Sequence, residues 1–173
     1  MGIRNFWQIV AGVLFASSLS IAADTSLLVS GNVVASSCKI DFNKKITIGT
    51  FSGTDFPSVG STSAFKAMNI RLSECYNKLT SVNVTFSGVT DAENPTLLAV
   101  TGSGTGGDVA TGIGVELLDN EGDAIPFNSS KQIPFALDEG ITTLSFLVRY
   151  KSTKFPVTYG EAPAVLFFDL AYQ

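Results

Sequence analysis

Apolar and polar residues alternate with a period of two along most of the chain, in short runs separated by turn-forming residues. That period belongs to strands. Leu27, Val29, Gly31 and Val33 share one side of a first run, Ile46 and Ile48 mark a second, and residues 65–72 form a third. Val82, Val84 and Phe86 mark a fourth run that ends at Ser87-Gly88, and Ile113, Val115 and Leu117 mark a fifth. Ile125 and Phe127 mark a sixth, and residues 133–137, 144–150 and 164–172 complete the series. Between the fifth and sixth runs, Asp119-Asn120-Glu121-Gly122-Asp123 predicts a hairpin turn with glycine at a left-handed position. Residues 91–111 are irregular, and no run of ten residues carries a helical period. The pattern predicts a single all-β sandwich domain of about eight short strands.

Composition supports strands and narrows the chemistry. Sixteen Gly and thirteen Phe among 173 residues, with frequent Val and Thr, favour strands and turns over helices. Charged residues make up only 15 % against 45 % hydrophobic, enough apolar material for a packed core. Net charge is −4 and the basic residues cluster no further than Lys44-Lys45, so nucleic acid is not an expected partner. The chain has no histidine, which removes the commonest general base and the Ser-His and Cys-His nucleophile arrangements. No spacing singles out a carboxylate pair, and the reading is of a protein that is not an enzyme and carries no cofactor.

The first residues read as an address. Arg4 is followed by a mostly apolar run from Phe6 to Ala16 and then by small residues, the three-part layout of a secretory signal peptide covering residues 1–22. Cleavage after Ala22 fits best, with Ala23 the alternative. Removal leaves 151 residues and, with Arg4 gone, a net charge of −5. Export places Cys38 and Cys75 in an oxidising compartment, where they are expected to pair and close a loop of 37 residues.

Two motifs lead elsewhere and are set aside. Gly102-Ser103-Gly104-Thr105-Gly106-Gly107 matches a dinucleotide fingerprint by letter, but the following residues alternate at period two, so a loop is expected. Asp119, Glu121 and Asp123 are spaced like calcium ligands, but Ala124 stands where such a loop needs glycine. The hairpin turn accounts for all three, and no metal is expected.

The two ends carry the functional signal. Thr25, Leu27, Val29, Gly31 and Val33 put a mostly apolar stripe at the mature N-terminus, and Leu166, Phe168, Leu170 and Tyr172 put another at the C-terminus. Apolar strands at chain ends invite pairing with another sheet edge. Ala23-Asp24, the alternation through Gly31, Cys38 and Cys75 resemble the pilins of the chaperone–usher pathway, nearest the minor or adaptor subunits of type 1 fimbriae. Val84-Thr85-Phe86-Ser87-Gly88-Val89 and Phe168-Asp169-Leu170-Ala171-Tyr172-Gln173 add to the likeness. So does the C-terminal signature, a penultimate tyrosine (Tyr172) with Gly160 fourteenth from the end.

The resemblance implies an incomplete immunoglobulin-like β-sandwich that lacks its final strand and is completed by donor-strand complementation. Residues 23–34 would be the donor extension and 35–173 the pilin domain. Thr25, Leu27, Val29, Gly31 and Val33 would face inward in the donor. Gly160, Leu166, Phe168, Leu170 and Tyr172 would line the accepting side, held first by a periplasmic chaperone and then by the next subunit. The implied partners are that chaperone, an outer-membrane usher and two neighbouring subunits, one donating to this chain and one accepting from it. The implied destination is the cell-surface fimbrium by way of the periplasm. The implied role is a structural adaptor in a fimbria that supports adhesion, with a major pilin or a tip adhesin for a host glycan or protein as the alternatives. An adhesin would carry a separate lectin domain and no donor strand, which 151 residues do not accommodate.

Overall fold

The structure is a computed structural model, and it describes residues 37–102 and 108–173. The expected signal peptide, the donor extension with Thr25, Leu27, Val29, Gly31 and Val33, and most of the glycine-rich loop lie outside these residues. Eight strands form among those described: β1 (Lys39–Phe42), β2 (Lys66–Ser73), β3 (Ser81–Ser87), β4 (Leu98–Ala99), β5 (Ile113–Leu118), β6 (Ile133–Ala136), β7 (Ile141–Ser152) and β8 (Phe167–Tyr172). They make two antiparallel sheets, ordered β1-β2-β7-β5-β4 and β6-β3-β8. The expectation of an all-β sandwich is met.

Alternation decides which face of each strand enters the core. Met68, Ile70 and Leu72 on β2, Leu144, Phe146 and Val148 on β7, and Val115 and Leu117 on β5 turn one way. They meet Val82, Val84 and Phe86 of β3 from the opposite sheet. Phe146 is completely buried, with the rings of Phe86 and Phe135 edge-on to it at 4.9 and 5.7 Å. Cys38 and Cys75 are bonded, as expected from the sequence. The cross-link ties the start of β1 to the end of β2 and, for a 37-residue separation, constrains the unfolded chain by about 4 kcal/mol in the entropy picture.

Two predicted strands do not form. Ile46 and Ile48 keep their alternation, each half-buried against the core between exposed neighbours, but their segment joins no sheet among the described residues. A strand needs a ladder as well as a period. Ile125 and Phe127 are buried, yet residues 124–127 make only a bridge from Ala124 to Leu118 and one bond from Ile125 N to Leu117 O at 2.9 Å. Pro126 has no N–H to extend that ladder. The intervening turn is as expected: Asp119 N donates to Asp123 O at 3.0 Å, and Gly122 has φ +91°. The Asp119 Oδ1 accepts from Glu121 N and Asp123 N, so this carboxylate serves its own turn. Strands β1 and β4 were not predicted. The last strand begins at Phe167 rather than at residue 164, because β3 ends at Ser87, the partner of Phe167.

One buried charge lies on the outer face of the larger sheet. Glu116 is 4 % exposed and stands opposite Arg149 in the β5–β7 register. It accepts from Arg149 Nε at 2.6 Å and Lys151 Nζ at 2.7 Å, and the Arg149 guanidinium stacks 4.8 Å from the Phe65 ring centre. Burial pushes the Glu116 carboxyl up, but the two cations outweigh it and hold the group below its ordinary value near 4.5. A carboxyl depressed in the folded state binds fewer protons there than in the unfolded chain. Its contribution is complete above pH 4.5 and is lost as pH falls through the lowered folded value. Glu116→Gln is therefore expected to lower the unfolding midpoint at pH 7, with the gap to the parent closing in acid. Thermal melts from pH 7 to pH 2 check this; a gap independent of pH would assign the loss to packing instead.

Candidate functional site

The smaller sheet ends on β8. It pairs with β3 from Val82↔Tyr172 to Ser87↔Phe167, and no described strand pairs with its other edge. Its side chains alternate, with Phe168, Leu170 and Tyr172 half-buried against the core and Leu166 continuing the same side just before the strand. None of the four reaches full burial. Opposite them, β1 is the edge of the other sheet. Ile40 pairs with Leu72 and Phe42 with Ile70, so both face inward with partners that are 0–1 % exposed. Yet Ile40 and Phe42 are themselves 42 % and 41 % exposed. Inward-facing apolar side chains stand at this margin with their flanks uncovered by described residues, and a ring contact spans it, Phe42 edge-on to Phe168 at 5.1 Å.

Beside that contact opens a cleft of about 800 Å³. Segment 43–53 forms one wall, contributing Ile46, Ile48 and Phe51, and residues 157–168 form the other, with Leu166 and Phe168. Tyr150 lies at its floor, where its hydroxyl donates to Ala162 O at 2.7 Å and burial raises the phenol above its ordinary value. This bond and a short ladder fix the second wall. Glu161 N donates to Asp108 O at 2.8 Å, and Ala110 N donates to Glu161 O at 2.9 Å. The backbones come so close that a Cβ on Gly160 would lie 2.5–2.6 Å from the backbone of residues 108–110, and Gly160 has φ +148°. The penultimate tyrosine closes the other end of β8: the Tyr172 hydroxyl is buried, which raises its phenol, against the counteracting Cys38 backbone.

Of the residues expected on the accepting side, Gly160, Leu166 and Phe168 line the cleft. Leu170 and Tyr172 lie further along the same face, outside its lining. The opposite wall was not anticipated as part of a site. Ile46 and Ile48 were visible as an alternating pair, while Phe42, Phe51, Met68 and Tyr150 gave no sequence sign of converging here. Apolar side chains alternate with polar ones such as Lys45 and Thr47 along the walls, and the described carboxylate with a shifted pKa, Glu116, is held by Arg149 and Lys151. A cleft lined in this way beside an open strand edge suits an extended chain with alternating apolar side chains.

Two antiparallel sheets closed over one core in this order define an immunoglobulin-like pilin sandwich. The fimbrial protein family matches residues 27–173, and the chain belongs to it. It is 38 % identical to the fimbrial-like protein YcbU of Escherichia coli, over 93 % of this chain and 94 % of that one. The solved type I fimbria protein of Burkholderia pseudomallei, an antigen, is 34 % identical with a TM-score of 0.60, covering 79 % of this chain and 89 % of its own. A subunit of a chaperone–usher pilus, solved to explain rod uncoiling, shares the fold at a TM-score of 0.65 and 22 % identity, covering 88 % and 97 %. The chain is thus a fimbrial subunit with the chaperone–usher pilin fold, a structural protein of surface pili and not an enzyme.

Proposed function

We propose that this subunit polymerises by strand exchange: residues 23–34 of one subunit complete the sandwich of the next, after a periplasmic chaperone has held the same cleft. The observation that carries this reading is the margin between β1 and β8. Ile40 and Phe42 point into the core and remain more than two-fifths exposed, opposite a strand with one edge that no described strand pairs with. An inserted strand would pair with that edge and cover those side chains at once. The chain carries a matching stripe in Thr25, Leu27, Val29, Gly31 and Val33. Residues 1–22 are its export signal and 35–173 its accepting domain, delivered through an outer-membrane usher.

Within the fibre we assign it the adaptor position, on the resemblance to type 1 minor subunits. A rod position is the second reading, favoured by the fold shared with a rod-forming pilus subunit. Antibody labelling along isolated fibres separates them: one or two marks near a tip for an adaptor, continuous decoration for a rod. The exchange itself is tested by deleting residues 23–33. The truncated subunit is expected to bind its chaperone and accept a strand from a full-length partner while donating none. Unfolding of the truncated subunit even with chaperone present would assign those residues to its own core.

A further inference from the structure

The outward side of β8 and of the residues just before it holds an apolar pair that the cleft does not use. Val165 and Phe167 are 58 % and 61 % exposed and lie on the side opposite Leu166 and Phe168. Across the β3 ladder Phe167 faces Ser87, so its other flank, along the edge of β8 that no described strand pairs with, is where an apolar neighbour would fit. The donor segment has an outward face as well. If residues 25, 27, 29, 31 and 33 turn inward, Asp24, Ser26, Leu28, Ser30 and Asn32 turn out, and Leu28 stands between two serines.

We propose that in the assembled state Leu28 of one copy lies directly opposite Phe167 of a second copy, and that this solvent-face pair sets the register of the donated strand. The inference rests on the strand-exchange reading and adds an alignment to it. Every pairing of named strands in this chain is antiparallel, and an antiparallel strand is placed on β8 accordingly. A slip of one residue would turn the donor inside out, so permitted registers differ by two.

With Leu28 against Phe167, Ser30 faces Val165, Ser26 faces Asp169 and Asp24 faces Ala171. Inside, Leu27, Val29 and Gly31 fall beside Phe168, Leu166 and Ala164. A slip of two in one direction sets Leu28 against Asp169 and Ser30 against Phe167. In the other direction, Leu28 meets Val165, but Asp24 meets Asp169 and a serine covers Phe167. Like charges directly opposite are unfavourable and apolar pairs favourable, so one register satisfies both faces.

The test uses full-length chains secreted together, one carrying Leu28→Cys and the other Phe167→Cys, oxidised after assembly and separated without reductant. A disulfide-linked dimer that requires both variants is expected, at a yield at least tenfold above Leu28→Cys with Val165→Cys or with Asp169→Cys. Ser30→Cys with Val165→Cys is expected to link as well, providing an independent second pair. Preferential linking to Val165→Cys or Asp169→Cys would overturn the register. So would linking of Ser26→Cys to Val165→Cys, the parallel arrangement, or assemblies in which no pair links. In each of these cases assemblies still form and strand exchange stands. Assemblies that form equally well from chains lacking residues 23–33 would instead remove the strand-exchange reading.

Discussion

Gly31→Leu is expected to leave a secreted, disulfide-bonded, chaperone-bound subunit that no longer donates its strand. The expected outcome depends on where Gly31 sits, in a neighbour's cleft or in the subunit's own interior. In a neighbour's cleft, Gly31 marks a shallow stretch of groove, where any side chain pushes the inserted backbone away from β8 and weakens the pairs on both sides of it. On the proposed exchange the subunit that carries the change keeps its own fold, because the strand completes its neighbour instead. In a self-contained sandwich the extra side chain would instead overpack the subunit's own interior, costing on the order of 1–3 kcal/mol of stability. Measuring chaperone-complex yield beside strand-exchange rate distinguishes the two. Normal yield with exchange slowed at least a hundredfold is expected; reduced yield with normal exchange would overturn the donor assignment.

Gly160 is expected to show the opposite profile, loss of the folded subunit itself. Its φ of +148° is a backbone state that other residues rarely adopt, and a Cβ there would press on the backbone at Asp108, Val109 and Ala110. Those are rigid ladder atoms, the ones that bond Glu161 on either side. Strain at such a position costs roughly 1–3 kcal/mol before any clash is counted. Because the Cβ alone causes the damage, Gly160→Ala should be nearly as harmful as Gly160→Leu. Gly122 is the control: its φ is +91° but nothing lies within 4 Å of a Cβ there. Gly122→Ala is expected to cost about 1 kcal/mol from backbone strain alone. Equal melting temperatures for Gly160→Ala and Gly122→Ala would show that the close approach is unimportant.

The parts of this fold written in side-chain periodicity could be read directly. The cores of β2, β3, β5, β6, β7 and β8 follow from alternation, and the disulfide follows from two cysteines in an exported chain. What alternation does not encode is pairing. Ile46 and Ile48 have the period of a strand without a neighbouring ladder among the described residues, and Pro126 interrupts the ladder at Ile125 and Phe127. Conversely, β4 is two residues long and exists only because Leu98 and Ala99 meet Val115 and Gly114. Strand β1 did alternate, through Ile40 and Phe42, but four residues, two of them the charged Lys39 and Asp41, gave too short a signal. The candidate site was half legible for the same reason. Its β8 wall is a periodic stripe at a chain end, while Phe42, Phe51 and Met68 of the facing wall and Tyr150 of the floor are brought together by the fold alone.

The placement of β8 also governs when the molecule can form. Strand β3 is the middle of the smaller sheet, and one of its two partners is β8, whose residues lie about eighty to ninety positions downstream of those they pair with. Strand β2 likewise waits for β7. Contacts that span such lengths are slow to find, because the intervening chain must be closed into a loop before any bond repays it. As the polypeptide emerges from its N-terminal side, Val82, Val84 and Phe86 are present long before Phe168, Leu170 and Tyr172 arrive to pair with their strand. For that interval the nascent chain is a sticky, half-made sheet, prone to joining its own kind. The smaller sheet is therefore complete only once Phe167–Tyr172 have joined β3.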